Sequence, residues 1–197
     1  MIAPREFWET CRSNYAHLKP SWEFDDKMDR TTRLKEAFLD HMDLKGKIVI
    51  DYGCGGGFLG KFLFREYGIA KYIAIDIAKR SLRKAWEVNR KSDCEYILVP
   101  VEFSTLGADV FISIACMQHF PSEEYLNEFL ENLNNSNVKA IALQIKYGDE
   151  TEFFGTYDRK GYGVNCRTNA KYISSFLTNY NFRDIGRHNY LVWESKW

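Results

Sequence analysis

A β-branched run that ends in an acid and breaks into glycines constrains this chain more than any other feature. Residues 48–60 read IVIDYGCGGGFLG, with Asp51 closing the apolar run and glycines at Gly53, Gly55, Gly56 and Gly57. The next residues, 58–67, are apolar on helical spacing, so the stretch predicts a strand, a glycine turn and the start of a helix. Glycines let the turn take positive φ and let a ligand approach the backbone with no Cβ in the way. The helix start behind the turn offers free N–H groups and the positive end of a dipole.

The rest of the chain alternates strands with helices around this element. Phe7, Trp8, Cys11, Tyr15 and Leu18 recur near helical spacing and predict a short amphipathic helix, followed by an irregular link through Pro20. Residues 1–28 are read as a lid over the ligand site, with Trp8, Tyr15 and Trp22 among its aromatics. Residues 29–42 place Leu34, Ala37, Phe38 and Met42 on one helical face. Strands are predicted at 47–51, 71–76, 95–99, 109–116 and 138–145. Helices are predicted at 58–67, closed by Gly68, and at 81–90, with Leu82, Ala85 and Trp86 inward. Another helix opens at Pro121 and Ser122, with acids in its first turn. Residues 146–167 read as a long polar and aromatic loop, a length that in a compact domain is usually functional. Thr168 is expected to N-cap a last helix through about Tyr180. Two strand-like runs, 183–188 and 190–197, lie too close together for a helical crossover and should pair antiparallel. The pattern is that of one α/β domain, 1–197, with a largely parallel sheet.

Composition narrows the function. Lys plus Arg and Asp plus Glu both number 27, so the formal net charge is zero, unlike the basic footprint of a nucleic-acid binder. No apolar run approaches the ~20 residues of a membrane span, and the N-terminus does not read as a signal peptide. Five widely spaced cysteines without a C-x-x-C pair argue against a disulfide framework or structural zinc and fit a reducing cytoplasm. No cluster shows metal-ligand spacing.

Two ligands compete for the glycine turn. Residues 55–60 match G-x-G-x-x-G by letter, and Asp76 lies about 20 residues on, as a dinucleotide site requires. In such sites the first glycine comes directly off the strand, whereas here Asp51-Tyr52-Gly53 precedes Gly55. A strand-end carboxylate would also repel a diphosphate but suits a ligand with a cationic end. An NAD(P)-dependent oxidoreductase is therefore the weaker reading.

The motif D-Y-G-C-G-G-G at 51–57 resembles the glycine motif of class I S-adenosylmethionine-dependent methyltransferases. Asp76 matches the family acid that hydrogen-bonds both ribose hydroxyls. D-V-F-I-S-I-A-C-M-Q-H-F resembles the fourth-strand motif of the small-molecule branch, and the tail resembles the family's last two strands. The resemblance runs from about residue 30 to the end. It implies a Rossmann-like three-layer sandwich whose seven-stranded, mostly parallel sheet has order 3-2-1-4-5-7-6, with strand 7 antiparallel. It implies S-adenosyl-L-methionine as cofactor and S-adenosyl-L-homocysteine as product. Asp51 would meet the ammonium end, Gly53, Cys54, Gly55 and Gly57 the methionine and ribose portions, and Ile77 an adenine face. Glu102 and Phe103 fall where the family reads the adenine, although this chain departs there from the usual acidic pattern. Ala115 and Cys116 would lie near the methionine end, and both Cys54 and Cys116 read as small space-fillers rather than nucleophiles.

For the acceptor, His119 just after the fourth strand is the candidate base, because an imidazole with pKa near ~6.5 accepts a proton at neutral pH. Gln118, Tyr147, Asp149, Tyr162 and Arg167, with Trp8 and Tyr15, are candidates to orient a substrate. No nucleic-acid amino methyltransferase motif follows the fourth strand. By elimination the acceptor is an oxygen or nitrogen of a small metabolite, with a sugar or nucleotide-linked precursor as one example. A non-catalytic binding protein that keeps the fold is the alternative from another class.

Overall fold

The computed structural model describes residues 4–10, 29–154, 165–186 and 189–197. Cys11, Tyr15, Leu18, Trp22 and Tyr162 lie outside the described residues. In chain order the elements are α1 (Pro4–Thr10), α2 (Asp29–Ala37), β1 (Ile48–Tyr52), α3 (Phe58–Tyr67), β2 (Lys71–Asp76) and α4 (Lys79–Asn89). These are followed by β3 (Cys94–Leu98), β4 (Val110–Ser113), α5 (Glu123–Asn134) and β5 (Ala140–Gln144). The C-terminal part holds a short ribbon, β6 (Glu152–Phe153) with β7 (Cys166–Arg167), then α6 (Ala170–Phe176), β8 (Tyr180–Arg183) and β9 (Tyr190–Ser195).

The main sheet has seven strands in the order β3-β2-β1-β4-β5-β9-β8. The first five are parallel to one another. β9 runs antiparallel between β5 and β8. Counted within the sheet alone, this is the 3-2-1-4-5-7-6 order that the resemblance implies. The order reverses between β1 and β4, and in open α/β sheets ligands bind outside the carboxyl ends of the strands at that point.

Period-two alternation divides the strand side chains between two cores. Ile50, Tyr52, Ile73, Ile75, Phe111 and Trp193 face α5 and α6, whose Leu126, Phe129, Leu130, Leu133 and Ile173 cover them together with Leu177 just beyond α6. Val49, Tyr72, Ala74, Val110 and Ile112 face the other side, with Leu34, Phe38, Phe58, Phe62, Leu63 and Ala85 packed over them. Both faces are covered, which is why the parallel strands read as continuous apolar runs.

Several expectations are corrected. Trp86 is 54% exposed, while α4 buries Ser81, Ala85 and Asn89 instead. The glycine turn approaches α4 so closely that a Cβ on Gly57 would lie 2.7 Å from the Ala85 Cβ, leaving room for small side chains and none for an indole. Residues 146–167 are not all loop, because the ribbon pairs within them. Thr168 is not the cap of α6. Its backbone pairs with Tyr147, and Asn169 caps the helix by accepting from the Tyr172 N–H at 3.0 Å. That helix stops at Phe176 and β8 begins at Tyr180, earlier than the predicted 183. Tyr180 is drawn inward by a buried hydrogen bond from its hydroxyl to the Ser136 carbonyl. α2 ends at Ala37 in a 3-10 turn, Leu39–His41, yet Phe38 remains fully buried.

These positions separate surface from core in a way that unfolding measures. Trp86→Ala should change stability by no more than about 0.5 kcal/mol, as is usual for surface sites. Leu130→Ala, at a fully buried position of α5, should cost about 2–5 kcal/mol. Denaturant midpoints of the two variants check the contrast.

Candidate active site

The site grows from the end of β1. Beyond Tyr52 the chain doubles back, and the N–H groups of Gly53 and Cys54 both donate to the Ile75 carbonyl of β2, at 2.8 and 3.0 Å. Gly53 (φ 77°) and Gly57 (φ 71°) take left-handed conformations, and Gly57 leads directly into α3. At Gly53 a Cβ would lie 2.4 Å from the Cys116 Sγ, so the turn and the segment after β4 touch with no space between them. Gly53, not Gly55, makes the first turn off the strand, which removes the dinucleotide register weighed from the sequence.

Asp76 at the end of β2 ties the site together. One carboxylate oxygen accepts the Gly55 N–H at 2.9 Å and the other accepts the Ala78 N–H at 2.9 Å. Its backbone carbonyl receives the Val99 N–H at 3.2 Å, linking the end of β3. The Ser81 hydroxyl and the Ile77 N–H also hydrogen-bond this carboxylate, so β2, the glycine turn and the start of α4 meet on one side chain. Asp51 is 3% exposed and accepts the Tyr72 hydroxyl at 2.5 Å. Burial raises the pKa of Asp51 to about 7, against the Tyr72 hydrogen bond and with help from the Asp76 charge. Burial likewise raises Asp76 to about 6. The Cys54 and Cys116 thiols are both pushed well up by burial and by these acids, so they stay protonated and fill space.

The remaining sequence candidates fall into three groups. Ile77 is half-buried beside Asp76, and Ala115, with φ 53°, bends the chain after β4 so that Cys116 meets Gly53. Both join Asp51, the glycines and Asp76. Glu102 is exposed on the loop after β3, but the Phe103 ring is buried among Tyr52, Phe111 and Phe129, and its N–H donates to Asn132 Oδ1. Phe103 is therefore core. Its ring is needed under the sheet, and its backbone is already bonded.

Gln118 and His119 lie on a 3-10 turn, with Gln118 Nε2 3.1 Å from His119 Nε2. The two side chains pair directly, with the direction of the bond set by the imidazole tautomer. Trp8 meets the His119 ring edge to face at 5.0 Å. Arg167 stands on the ribbon, where its guanidinium covers the Phe154 ring at 5.1 Å, and Tyr147, bridged to Thr168 just beyond the ribbon, donates its hydroxyl to Asp149. The ribbon reaches the His119 turn through the Asn165 N–H, which donates to the Gln118 carbonyl at 2.8 Å.

Four residues that sequence reasoning passed over shape the site. Asn132 on α5 clamps the loop after β3, donating to the Val101 carbonyl as well as accepting from Phe103. Arg5 donates to the Val99 carbonyl at 2.6 Å, and Glu9 accepts the Lys79 N–H at 2.6 Å. Glu9 thereby caps α4, whose own Ala78 has no capping side chain. Tyr72 read as an ordinary strand aromatic. Asn132 lies off the apolar stripe of its helix, and the other contacts join residues 21 to 94 positions apart, so no local pattern marks them.

Both acids bind protons more tightly folded than unfolded. Between about pH 4 and 7 the folded chain holds more protons, so rising pH lowers stability across that window. Asp51→Asn should match the parent in thermal unfolding near pH 4. At pH 8 it should be more stable by roughly 2–4 kcal/mol.

The geometry accords with known proteins. Residues 43–143 match the family described as "Methyltransferase domain". The ubiquinone biosynthesis O-methyltransferase of Neisseria meningitidis (serogroup C) is 35% identical over 73% of this chain, which spans 59% of that protein's length. A SAM-dependent methyltransferase from Anabaena variabilis superposes with a TM-score of 0.66 at 17% identity, covering 100% of this chain and 96% of its own. The magnesium protoporphyrin IX methyltransferase of Synechocystis, solved with bound SAH, superposes at 0.58 and 17% identity, covering 84% and 81%. A turn stripped of side chains between two buried carboxylates suits a ligand with a cationic amino acid end and ribose hydroxyls, and by fold and family match this chain belongs to the class I S-adenosylmethionine-dependent methyltransferases.

Proposed function

We propose that this chain transfers the methyl group of S-adenosylmethionine to an oxygen or nitrogen of a small metabolite. The observation that carries the reading is the position of α1. Arg5 holds the end of β3, Glu9 holds the start of α4, and Trp8 leans on His119 beyond β4. A seven-residue helix thus bridges the segments that follow β2, β3 and β4, at the carboxyl ends of the strands. This placement supports a lid role for α1. The O-methyltransferase among the similar proteins supports the same class of acceptor.

Asp51 receives the ammonium end of the cofactor, and Asp76 accepts from the ribose hydroxyls while it holds Gly55. The backbone of Gly53, Cys54, Gly55 and Gly57 lies along the methionine and ribose portions. Ile77 and the loop at Glu102 flank the adenine, and Ala115 borders the methionine end. When bound, S-adenosylmethionine supplies a methyl group activated by an adjacent sulfonium. The protein must then align the acceptor, exclude water and take up a proton. Trp8 and α1 exclude water. His119 Nε2 faces Gln118, and an acceptor O–H or N–H that takes the place of the Gln118 amide gives its proton to that nitrogen. Arg167 on the ribbon, and Tyr147 bridged to Thr168 beside it, orient the distal part of the acceptor.

The test is transfer of isotope-labelled methyl from S-adenosylmethionine to a cell extract divided by filtration. Label should enter the small-molecule fraction. Label confined to retained macromolecules would overturn the acceptor class. His119→Ala should lower turnover about 10²–10⁴-fold, the usual worth of a general base, with S-adenosylhomocysteine affinity unchanged. An unaltered rate across pH would remove the base role. Glu9→Ala, which uncaps α4 and releases the lid, should speed S-adenosylhomocysteine dissociation several-fold in stopped-flow measurements.

A further inference from the structure

Tyr72 occupies a position in β2 where a plain apolar side chain would satisfy the core. It is fully buried, and its neighbour on the same face of the strand is Ala74. Its Cα is in register with Val49, whereas Asp51 is in register with Ala74. The side chain therefore leans two residues along the sheet toward the ligand end, where its hydroxyl donates to Asp51 Oδ2 at 2.5 Å. α3 passes directly over the ring. A Cβ on Gly60 would lie 2.6 to 2.8 Å from the Tyr72 ring atoms, so glycine at that position of the helix is what admits the ring. Pinned between α3 and the sheet, the phenol cannot turn its hydroxyl away from Asp51.

We propose that Tyr72 is a positioning residue for the cofactor, its hydroxyl holding Asp51 oriented and ionised to receive the ammonium end of S-adenosylmethionine. The inference rests on the role given to Asp51 above. Tyr72 and Asp76 from β2 act on that carboxylate, and the Cys54 and Cys116 thiols interact with it from the turn and from the segment after β4. Burial and the Asp76 charge favour the protonated acid, while the Tyr72 hydroxyl favours the anion. A proton on Asp51 and the ammonium of the ligand compete for the same oxygens. The donor from Tyr72 tips that competition and fixes which oxygen remains for the ligand. A side chain needed only for packing would have no such effect, which separates the two roles experimentally.

Tyr72→Phe keeps the ring and removes the donor. S-adenosylhomocysteine binding is titrated by calorimetry from pH 5.5 to 8.5, with thermal unfolding at pH 8.5 to confirm folding. Parent affinity should climb with pH through about 7 and then level off. The variant should reach a similar plateau with its midpoint moved up by about one pH unit, so that binding at pH 7 is several-fold weaker. Asp51→Asn should bind weakly and without this pH dependence. A Tyr72→Phe curve that superimposes on the parent, or that is weaker by one constant factor at every pH, would overturn the inference. So would an Asp51→Asn curve that keeps the parent's midpoint. If the parent binds no S-adenosylhomocysteine at any pH, the cofactor role of Asp51 fails and this inference with it. If the parent binds and only the midpoint stays fixed, Tyr72 alone is wrongly assigned.

Discussion

The molecule depends on two carboxylates kept out of water at the ends of adjacent parallel strands. Asp51 and Asp76 are 3% and 8% exposed, and both have pKa values raised by burial. Burying an acid without a cation costs free energy, and each is held in place by hydrogen bonds instead. Asp76 accepts from Gly55 and Ala78, and Asp51 accepts from Tyr72. The glycine turn, the start of α4 and the central sheet are thus organised around these two buried acids.

Close backbone approach is the second half of the same device. The turn reaches Ile75 by two N–H groups, Cys116 by contact at Gly53, and Ala85 and Asn89 by contact at Gly57. Asn89 answers this approach by donating to the Gly57 carbonyl. Small or polar residues on the inner face of α4 follow from that contact, and so does the outward position of Trp86. α1 is tied to the same region, because Glu9 supplies the capping acceptor that α4 does not carry itself.

Much of this was legible in the sequence because its signals are local. The glycine turn follows directly from Asp51, α3 falls on residues 58–67, and β2 falls on 71–76. The paired tail strands could be inferred from their spacing, although β8 begins at Tyr180, because the core that draws Tyr180 inward is formed by distant residues. Asp76 was legible from its position at a strand end. Phe103 shows what the sequence left open. The family resemblance put it on the loop expected beside the adenine, and the structure turns its ring into the aromatic cluster beneath the sheet while its N–H meets Asn132. Local spacing locates a backbone; it does not say to which side a side chain turns.

By itself the sequence determined the order of the main-sheet strands and their helices and the acid-and-glycine element, since each depends on residues within a few positions of one another, and with Asp76 about 20 residues on it pointed to the class of cofactor. Only the tertiary structure decided what holds the acids in place, what caps α4 and which ring meets His119 edge to face. Those features join Tyr72 to Asp51, Glu9 to Lys79 and Trp8 to His119, pairs brought together by sheet register and helix packing across 21 to 111 residues of chain. Contacts of that range leave no periodic trace in sequence, because either partner alone looks like an ordinary core or surface residue.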